Sequence, residues 1–289
     1  MDQAVWRTVS HTVLVILSIL CILPFILLFT SSIAEETTII RDGYTFFPKV
    51  ISFDAYDYLI QNSKMIVRSY GVTIFVTVVG TTLSLLLMSM LAYPLSRRDL
   101  PLGKVFAFFV FFTVLFNGGL VPTYLMYTQL FGIKNTIFAL IIPNLLMNGF
   151  YVFIMRTFFA TTIPIDIVES ASLDGAGEFR VFTSIIMPLS LPILATMGLF
   201  QTVNYWNDWF NGLIYLTDPK LFSLQNVLNQ IITNVEFLAQ DTNSRRTFAQ
   251  LPTLTIRMAI AFIGIVPVLA AYPFFQRYLV RGIVIGAVK

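Results

Sequence analysis

Between two apolar runs, from Ile163 to Pro188, the chain reads IPIDIVESASLDGAGEFRVFTSIIMP. Pro164 suits the first position of a helix, and the acidic Asp166 and Glu169 stabilise the positive end of a helix dipole. Gly175 can adopt the positive φ with which a helix ends and the chain turns. The stretch therefore predicts a short helix, a turn and a second short helix.

The first of these helices carries one face of apolar or small side chains. They are Ile165, Val168, Ala171 and Ser172. The face is too short to cross a membrane and too apolar to be left in water. Because Ala171 and Gly175 are small, they permit a close approach. We therefore predict a rigid projection that fits a groove of another protein subunit.

The sequence on both sides of this stretch has the composition of a membrane protein. Hydrophobic residues make up 57% of the 289 residues and charged residues 11%, whereas a soluble domain carries about 25% charged residues. A water-soluble enzyme is thereby excluded. Runs of about 20 apolar residues cross a bilayer, and six are present, at residues 12–31, 70–95, 104–128, 136–159, 189–216 and 254–275. The predicted fold class is all-α, a polytopic membrane protein with six transmembrane helices in one domain, 1–289.

An even number of spans puts both termini on the same side of the membrane. The short segments on that side are rich in basic residues, namely Arg97, Arg98, Lys104 and Arg180. Cytoplasmic segments are enriched in Lys and Arg, so both termini are predicted to be cytoplasmic. The stretch 160–188 is then a cytoplasmic loop, and the loops 33–69 and 217–253 are extracytoplasmic.

Several kinds of chemistry are excluded by what the chain lacks. Its single cysteine, Cys21, and single histidine, His11, allow neither a disulfide nor a Cys/His metal cluster. No run of Lys or Arg indicates nucleic-acid binding. No G-x-x-x-x-G-K-[ST] phosphate loop is present, so any ATP that drives the protein must be hydrolysed elsewhere. We expect no cofactor on this chain and no enzymatic activity.

The extracytoplasmic half of the fifth span combines amides, a carboxylate and aromatic rings. The residues are Asn204, Tyr205, Trp206, Asn207, Asp208, Trp209 and Asn211. Polar groups inside a membrane helix are costly and normally face a pathway or a partner, and this mixture suits a sugar. An aromatic belt at the membrane interface, with Asp208 near the headgroups, explains the same residues equally well. Asn144 and Asn148 of the fourth span are further candidates for the substrate pathway.

The spacing of the cytoplasmic loop resembles a known pattern. Glu169, Ala171, Asp174, Gly175 and Ala176 match E-x-A-x-x-D-G-A, which is followed by a Phe and by Ile-x-x-Pro. This is the EAA loop of the permease subunits of binding-protein-dependent ABC importers. The departures, Ser170 for Ala and Met187 for Leu, are mild. The segments 117–124, 204–209 and 276–289 are similar to oligosaccharide permeases related to the second permease of the maltose importer, in the branch for complex or acidic oligosaccharides such as uronides.

The resemblance implies the type I importer permease fold, located in the bacterial cytoplasmic membrane. It implies partners: a second, paralogous permease, two ATPase subunits that bind ATP and Mg, and an extracellular solute-binding protein that delivers an oligosaccharide. In this family the loop serves as a coupling helix. Glu169 would pair with a basic residue of the ATPase, and Gly175 would form the turn. The residues that would pack in the ATPase groove are Ile165, Val168, Ala171 and Ala176.

A self-sufficient secondary transporter is the alternative. Such a protein is expected to carry coupling carboxylates in the middle of its spans and often repeated halves. Asp208 is the one clear intramembrane acid, and the sequence shows no internal repeat. A membrane-embedded enzyme would need a constellation of His, Cys or carboxylate groups, which is absent.

Overall fold

The structure is a computed structural model, and it describes residues 3–61, 63–240 and 253–287. Residues 241–252 of the predicted loop 217–253, and residues 288–289 of the C-terminal segment 276–289, lie outside the described residues. The predicted all-α class is confirmed by the following helices: α1 Gln3–Ser32, α2 Glu36–Asp42, α3 Asp54–Gln61, α4 Ser63–Ser96, α5 Gly103–Leu115, α6 Leu120–Leu125, α7 Phe138–Ile141, α8 Gly149–Thr162, α9 Ile165–Leu173, α10 Glu178–Val181, α11 Met187–Leu189, α12 Leu191–Trp206, α13 Phe210–Tyr215, α14 Leu224–Gln240 and α15 Thr253–Ala287. A π-helical turn, Met126–Leu130, follows α6, and another, Phe182–Ile186, joins α10 to α11.

Two helices in the described part of the chain are long and apolar enough to cross a membrane alone. They are α4 and the Trp6–Ser32 part of α1. Three further candidates are pairs of helices bent at a break, by 113° between α5 and α6, 78° between α8 and α9, and 79° between α11 and α12. Counting each bent pair as one span gives up to five spans, and the apolar part of α15, Leu254–Ala270, is shorter. The number of six spans therefore stays a prediction.

Three of the runs that the sequence predicts as continuous helices are broken. The runs 104–128, 136–159 and 189–216 are interrupted at residues 116–119, 142–148 and 207–209. At the first break the Asn117 Oδ1 accepts a hydrogen bond from the Gly119 N–H at 2.9 Å, and Gly119 has a φ of +84°. At the second, Asn144 has a φ of +61°. Hydropathy averages over a window of residues, so it does not register such local turns.

The described residues within 1–67 and 227–269 form one compact unit. The most apolar 18-residue window of α1 has no buried residue, so that surface of α1 is available to lipid or to another protein. Glu36, at the start of α2, accepts hydrogen bonds from the N–H groups of Leu254 at 2.8 Å and Thr255 at 2.9 Å. Its carboxylate thereby satisfies two of the backbone donors that the first turn of α15 leaves unpaired.

The described residues within 68–226 and 270–289 form the second unit. Its hydrophobic core lies where α4, α8, α9 and α10 meet the start of α12. The buried members are Met88, Ala92, Tyr93, Leu95, Val152, Met155, Phe159, Ile163, Val168, Val181, Phe182, Ile186 and Met197. The predicted cytoplasmic loop therefore contributes to the core of its own chain.

Gly80 and Gly212 permit close approaches in this unit. A Cβ atom on Gly80 of α4 would lie 2.5 Å from the ring of Tyr205 in α12, and a Cβ atom on Gly212 of α13 would overlap the side chain of Asn226. Asn226 is buried, and its Nδ2 donates to the carbonyl of Trp209 at 2.6 Å. Its amide therefore cannot turn aside without losing this bond.

We predict that Gly212→Ala destabilises the protein by about 1–3 kcal/mol, the usual cost of overpacking a well-packed site. Gly71→Ala is the matched control, because it places the same methyl group on α4 with no atom within 4 Å. Thermal unfolding of the two variants in detergent measures the difference. Equal unfolding midpoints would contradict the packing at Gly212.

Candidate functional site

The predicted helix, turn and helix are present between Ile163 and Pro188. α9 begins at Ile165, so Pro164 precedes the helix and does not occupy its first position. Gly175 has the expected positive φ, +82°. The turn is closed by the Ala176 N–H, which donates to the carbonyl of Ala171 at 3.0 Å.

One face of α9 packs on the core of its own chain. Val168 is 5% exposed, and Ala171 and Ala176 are half-buried against the same core. The assignment of Val168 to a groove of a partner is therefore corrected. Its side chain packs α9 against a core that also contains residues of α4, α8 and α10.

The other face of the loop is open. Ile165 is 55% exposed, Leu173 is 90% exposed and Phe179 is 72% exposed. The acidic side chains of Glu169 and Asp174 are exposed beside them. Leu173 and Phe179 were not predicted as site residues, although an apolar residue on each side of the turn at residues 174–177 was a signal in the sequence.

The base of the loop is tied to the C-terminal end of α4. The Tyr93 hydroxyl donates to Glu178 Oε2 at 2.7 Å, and the Arg97 guanidinium lies 3.6 Å from Glu178 Oε1. Arg97 also donates twice to Asp99, at 2.9 and 2.8 Å, and these hydrogen bonds lower the pKa of Asp99 to about 2. Asp99 is therefore charged at neutral pH. A cavity of about 400 Å³ lies among these residues and Phe179.

The break in the fifth predicted span is stabilised by Asp208. Its Oδ1 accepts hydrogen bonds from the N–H groups of Phe210 and Asn211, both at 3.2 Å, and so caps α13. Asn207 and Trp209, on either side, are exposed. The Asn207 Oδ1 accepts a long hydrogen bond, 3.4 Å, from Gln225 Nε2.

Three predicted pathway residues are buried within the chain instead. Tyr205, Trp206 and Asn211 are 2%, 7% and 2% exposed. The Tyr205 hydroxyl donates to the carbonyl of Ile141 at 2.8 Å, and Asn211 Nδ2 donates to the carbonyl of Pro143 at 3.0 Å. These side chains support the broken segment 142–148 and its surroundings, which accounts for their polarity.

Gln201 belongs to the same group and was not predicted. It is 1% exposed, and its Nε2 donates to the carbonyl of Leu145. A glutamine in the middle of an apolar run was the signal in the sequence, because a buried amide needs a partner.

The remaining candidates divide between capping and open positions. Asn148 Oδ1 accepts hydrogen bonds from the N–H groups of Phe150 and Tyr151, which caps α8. Asn204 is half-buried, and its Nδ2 donates to the Tyr151 hydroxyl at 3.2 Å. Asn144 is exposed. Among the described residues no group of three or more His, Cys, Asp or Glu side chains could hold a metal ion.

Comparison with known proteins decides the family. No protein-family model matches the chain. It is 37% identical to the polygalacturonan/rhamnogalacturonan transport system permease protein YtcP of Bacillus subtilis strain 168, over 289 residues and the whole of both chains. It is 31% identical to the probable ABC transporter permease protein YurM of the same organism, over 75% of this chain and 68% of YurM. The chain belongs to the ABC sugar-transport permeases.

A solved structure supports the fold of this permease. A chain from the crystal structure of a bacterial ABC transporter, involved in the import of the acidic polysaccharide alginate, superposes with a TM-score of 0.80. The two chains are 29% identical, and the match covers 96% of the permease and 98% of that chain. The permease is also 38% identical to protein LplC of Bacillus subtilis strain 168, over 93% of its own length and 89% of LplC.

We predict that Tyr205→Phe lowers the stability of the permease by about 1–3 kcal/mol, because it leaves the buried Ile141 carbonyl without its side-chain donor. Tyr44→Phe removes the same hydroxyl from an exposed ring and serves as the control. Thermal unfolding in detergent distinguishes the two. If both variants unfold at the temperature of the unsubstituted protein, the Tyr205 hydroxyl does not support the break.

Proposed function

We propose that this permease forms half of the translocation pathway of an ATP-driven importer, together with a paralogous permease. Two separate ATPase subunits would bind ATP and Mg and dock on the cytoplasmic loop 160–188. The observation that carries the proposal is the exposed surface formed by Ile165, Glu169 and Leu173 on a helix that the buried Val168 fixes in the core. An exposed apolar patch beside a carboxylate is typical of a docking surface.

Contacts with the rest of the second unit fix the loop 160–188, so that it would transmit a displacement. Val168 is buried in the core of the second unit, Gly175 closes the turn, and Glu178 is bonded to Tyr93. Closure of the ATPase subunits on ATP would therefore move α9 and α10 as one body. Because α10 continues through a π-helical turn into α11 and, across a 79° bend, into α12, the movement would reach the break at Asn207 and rock the bundle between inward and outward access.

We infer that the substrate is an acidic oligosaccharide delivered by an extracellular solute-binding protein. Two similar proteins support this class: one is named as a polygalacturonan/rhamnogalacturonan transport permease, and the other belongs to a transporter involved in alginate import. The exposed positions Asn144, Asn207 and Trp209 offer amides for hydroxyl or carboxylate groups and an aromatic ring for a sugar face. Asn204 and Asp208 are partly exposed beside them.

The orientation that fits this mechanism places both termini of the permease in the cytoplasm of a bacterial cell. The loop 160–188 then meets the ATPase subunits, and the loops 33–69 and 217–253 face the solute-binding protein. The apolar helices and the family support a location in the membrane.

We predict that Asp208→Asn lowers the KM for uptake of an acidic oligosaccharide about fivefold, since removing a like charge at close range in water relieves about 1 kcal/mol of repulsion. Asn caps a helix nearly as well as Asp, so the fold and the basal ATPase activity are retained. Uptake of a radiolabelled uronide oligosaccharide measures the effect. Unchanged kinetics would assign Asp208 to the cap alone.

We predict that Glu169→Lys lowers ATP-coupled uptake at least tenfold and reduces the amount of ATPase that co-purifies, because it reverses the charge offered to a basic residue of the ATPase. Glu169 is exposed, so the protein should still insert in the membrane at normal levels. Asp57→Lys makes the same change of charge on an exposed position of α3 and is the control. Normal coupled uptake in Glu169→Lys would contradict the docking assignment.

A further inference from the structure

The segment between α2 and α3 belongs to no helix and exposes six large apolar side chains. We call residues 43–53, GYTFFPKVISF, the aromatic loop. The exposed members are Tyr44, Phe46, Phe47, Val50, Ile51 and Phe53, and Phe47 is 90% exposed. Contiguous apolar surface of this kind on a protein marks a contact with a membrane or a partner.

Hydrogen bonds attach the aromatic loop to the end of α1. The Thr30 hydroxyl donates to the carbonyl of Thr45 at 3.2 Å. The Ser52 N–H donates to the carbonyl of Ile33 at 2.9 Å, and the Glu35 N–H donates to the carbonyl of Val50 at 3.1 Å. The aromatic loop therefore lies level with the last turn of α1.

The length of α1 gives the depth of that turn in a membrane. The part of α1 that follows His11, from Thr12 to Ser32, is 21 residues long and contains no charged side chain. At about 1.5 Å per residue it spans about 30 Å, the thickness of the hydrocarbon core of a bilayer. When this stretch fills the core, Thr30 lies at the boundary between acyl chains and headgroups. The aromatic loop then lies at the same boundary.

The charges beside the aromatic loop suit lipid headgroups. Asp42 Oδ1 accepts from Arg41 at 2.9 Å, and Asp42 Oδ2 accepts from Lys49 at 2.8 Å. The side chains of Arg41 and Lys49 are 72% and 69% exposed. Asp42 is shared by both cations and Glu35 also acts on Arg41, but both basic side chains stay largely exposed and can therefore reach a lipid phosphate.

We propose that the aromatic loop inserts its side chains into the headgroup boundary of the leaflet at the C-terminal end of α1, with Arg41 and Lys49 at the lipid phosphates. Aromatic rings are favoured at this depth, and neighbouring basic side chains strengthen binding to anionic lipids. The insertion holds the end of α1, and the loop bonded to it, at a constant level in the membrane. It requires only that α1 crosses the membrane, and it is independent of the proposed transport function.

A spin label at Phe47 tests the insertion. The full chain with Cys21→Ser and Phe47→Cys is labelled with a nitroxide and reconstituted into vesicles of phosphatidylcholine and phosphatidylglycerol. Collisions of the label with oxygen, which is enriched in the bilayer, are compared with collisions with a water-soluble nickel chelate. Asp57→Cys in the same background is the control on the exposed, charged side of α3.

The expected result is a ratio of oxygen to nickel collisions that is severalfold higher at residue 47 than at residue 57. Similar, nickel-dominated ratios at both positions would show that the aromatic loop lies in water and would overturn the proposal. A label at residue 47 that is shielded from both reagents would show a protein contact instead, and would overturn it as well. Phe47 is almost fully exposed, so its substitution leaves the fold intact.

Discussion

Inside an apolar environment every backbone carbonyl that leaves a helix needs a hydrogen-bond donor, and this requirement organises the second unit. Carbonyl groups of the broken segment 142–148, and of Ile141 just before it, accept hydrogen bonds from side chains of α12 and α13. The donors are Gln201, Tyr205 and Asn211. Each unsatisfied buried group would cost about 1–3 kcal/mol, and no water is present in the bilayer core to compensate. The break at residues 142–148 is therefore possible only because distant residues satisfy its carbonyls, and the exposed residue Asn144 owes its position to this break.

The dependence on partners that are distant in the chain also determines which features of the fold could be predicted from the sequence. The membrane class follows from composition, and the turn at Gly175 follows from the one residue type that favours its φ. The all-α class and the family were predicted correctly from these features and from the spaced pattern of the cytoplasmic loop. The break at residues 142–148 was not predicted, since its carbonyls and that of Ile141 are satisfied by residues 56 to 68 positions away in the chain. Hydropathy averaged over a short window carries no information about contacts at that separation.

The candidate site was predicted in part for a related reason. A helical period identifies a face of α9, but it does not say whether the face is covered by the chain itself or by a partner. The structure places Val168 in the core and leaves Leu173 and Phe179 exposed. In α12 and α13, the polarity of Tyr205 and Asn211 indicated a role in the substrate pathway. The structure shows instead that both side chains donate hydrogen bonds to carbonyls at the break. A buried polar group in a membrane protein is thus accounted for first by its hydrogen-bond partner, and by a substrate only when no partner is found.

The central claim is that this permease works as one part of a heteromeric, ATP-driven importer. The most direct test is to purify the tagged chain from its native membrane in mild detergent and to identify the accompanying proteins by mass spectrometry. The account predicts a second permease with similar apolar helices, a soluble ATPase and a secreted solute-binding protein, in a complex that hydrolyses ATP. Recovery of the chain alone, as a stable oligomer that transports a sugar without ATP, would contradict the account and favour a secondary transporter.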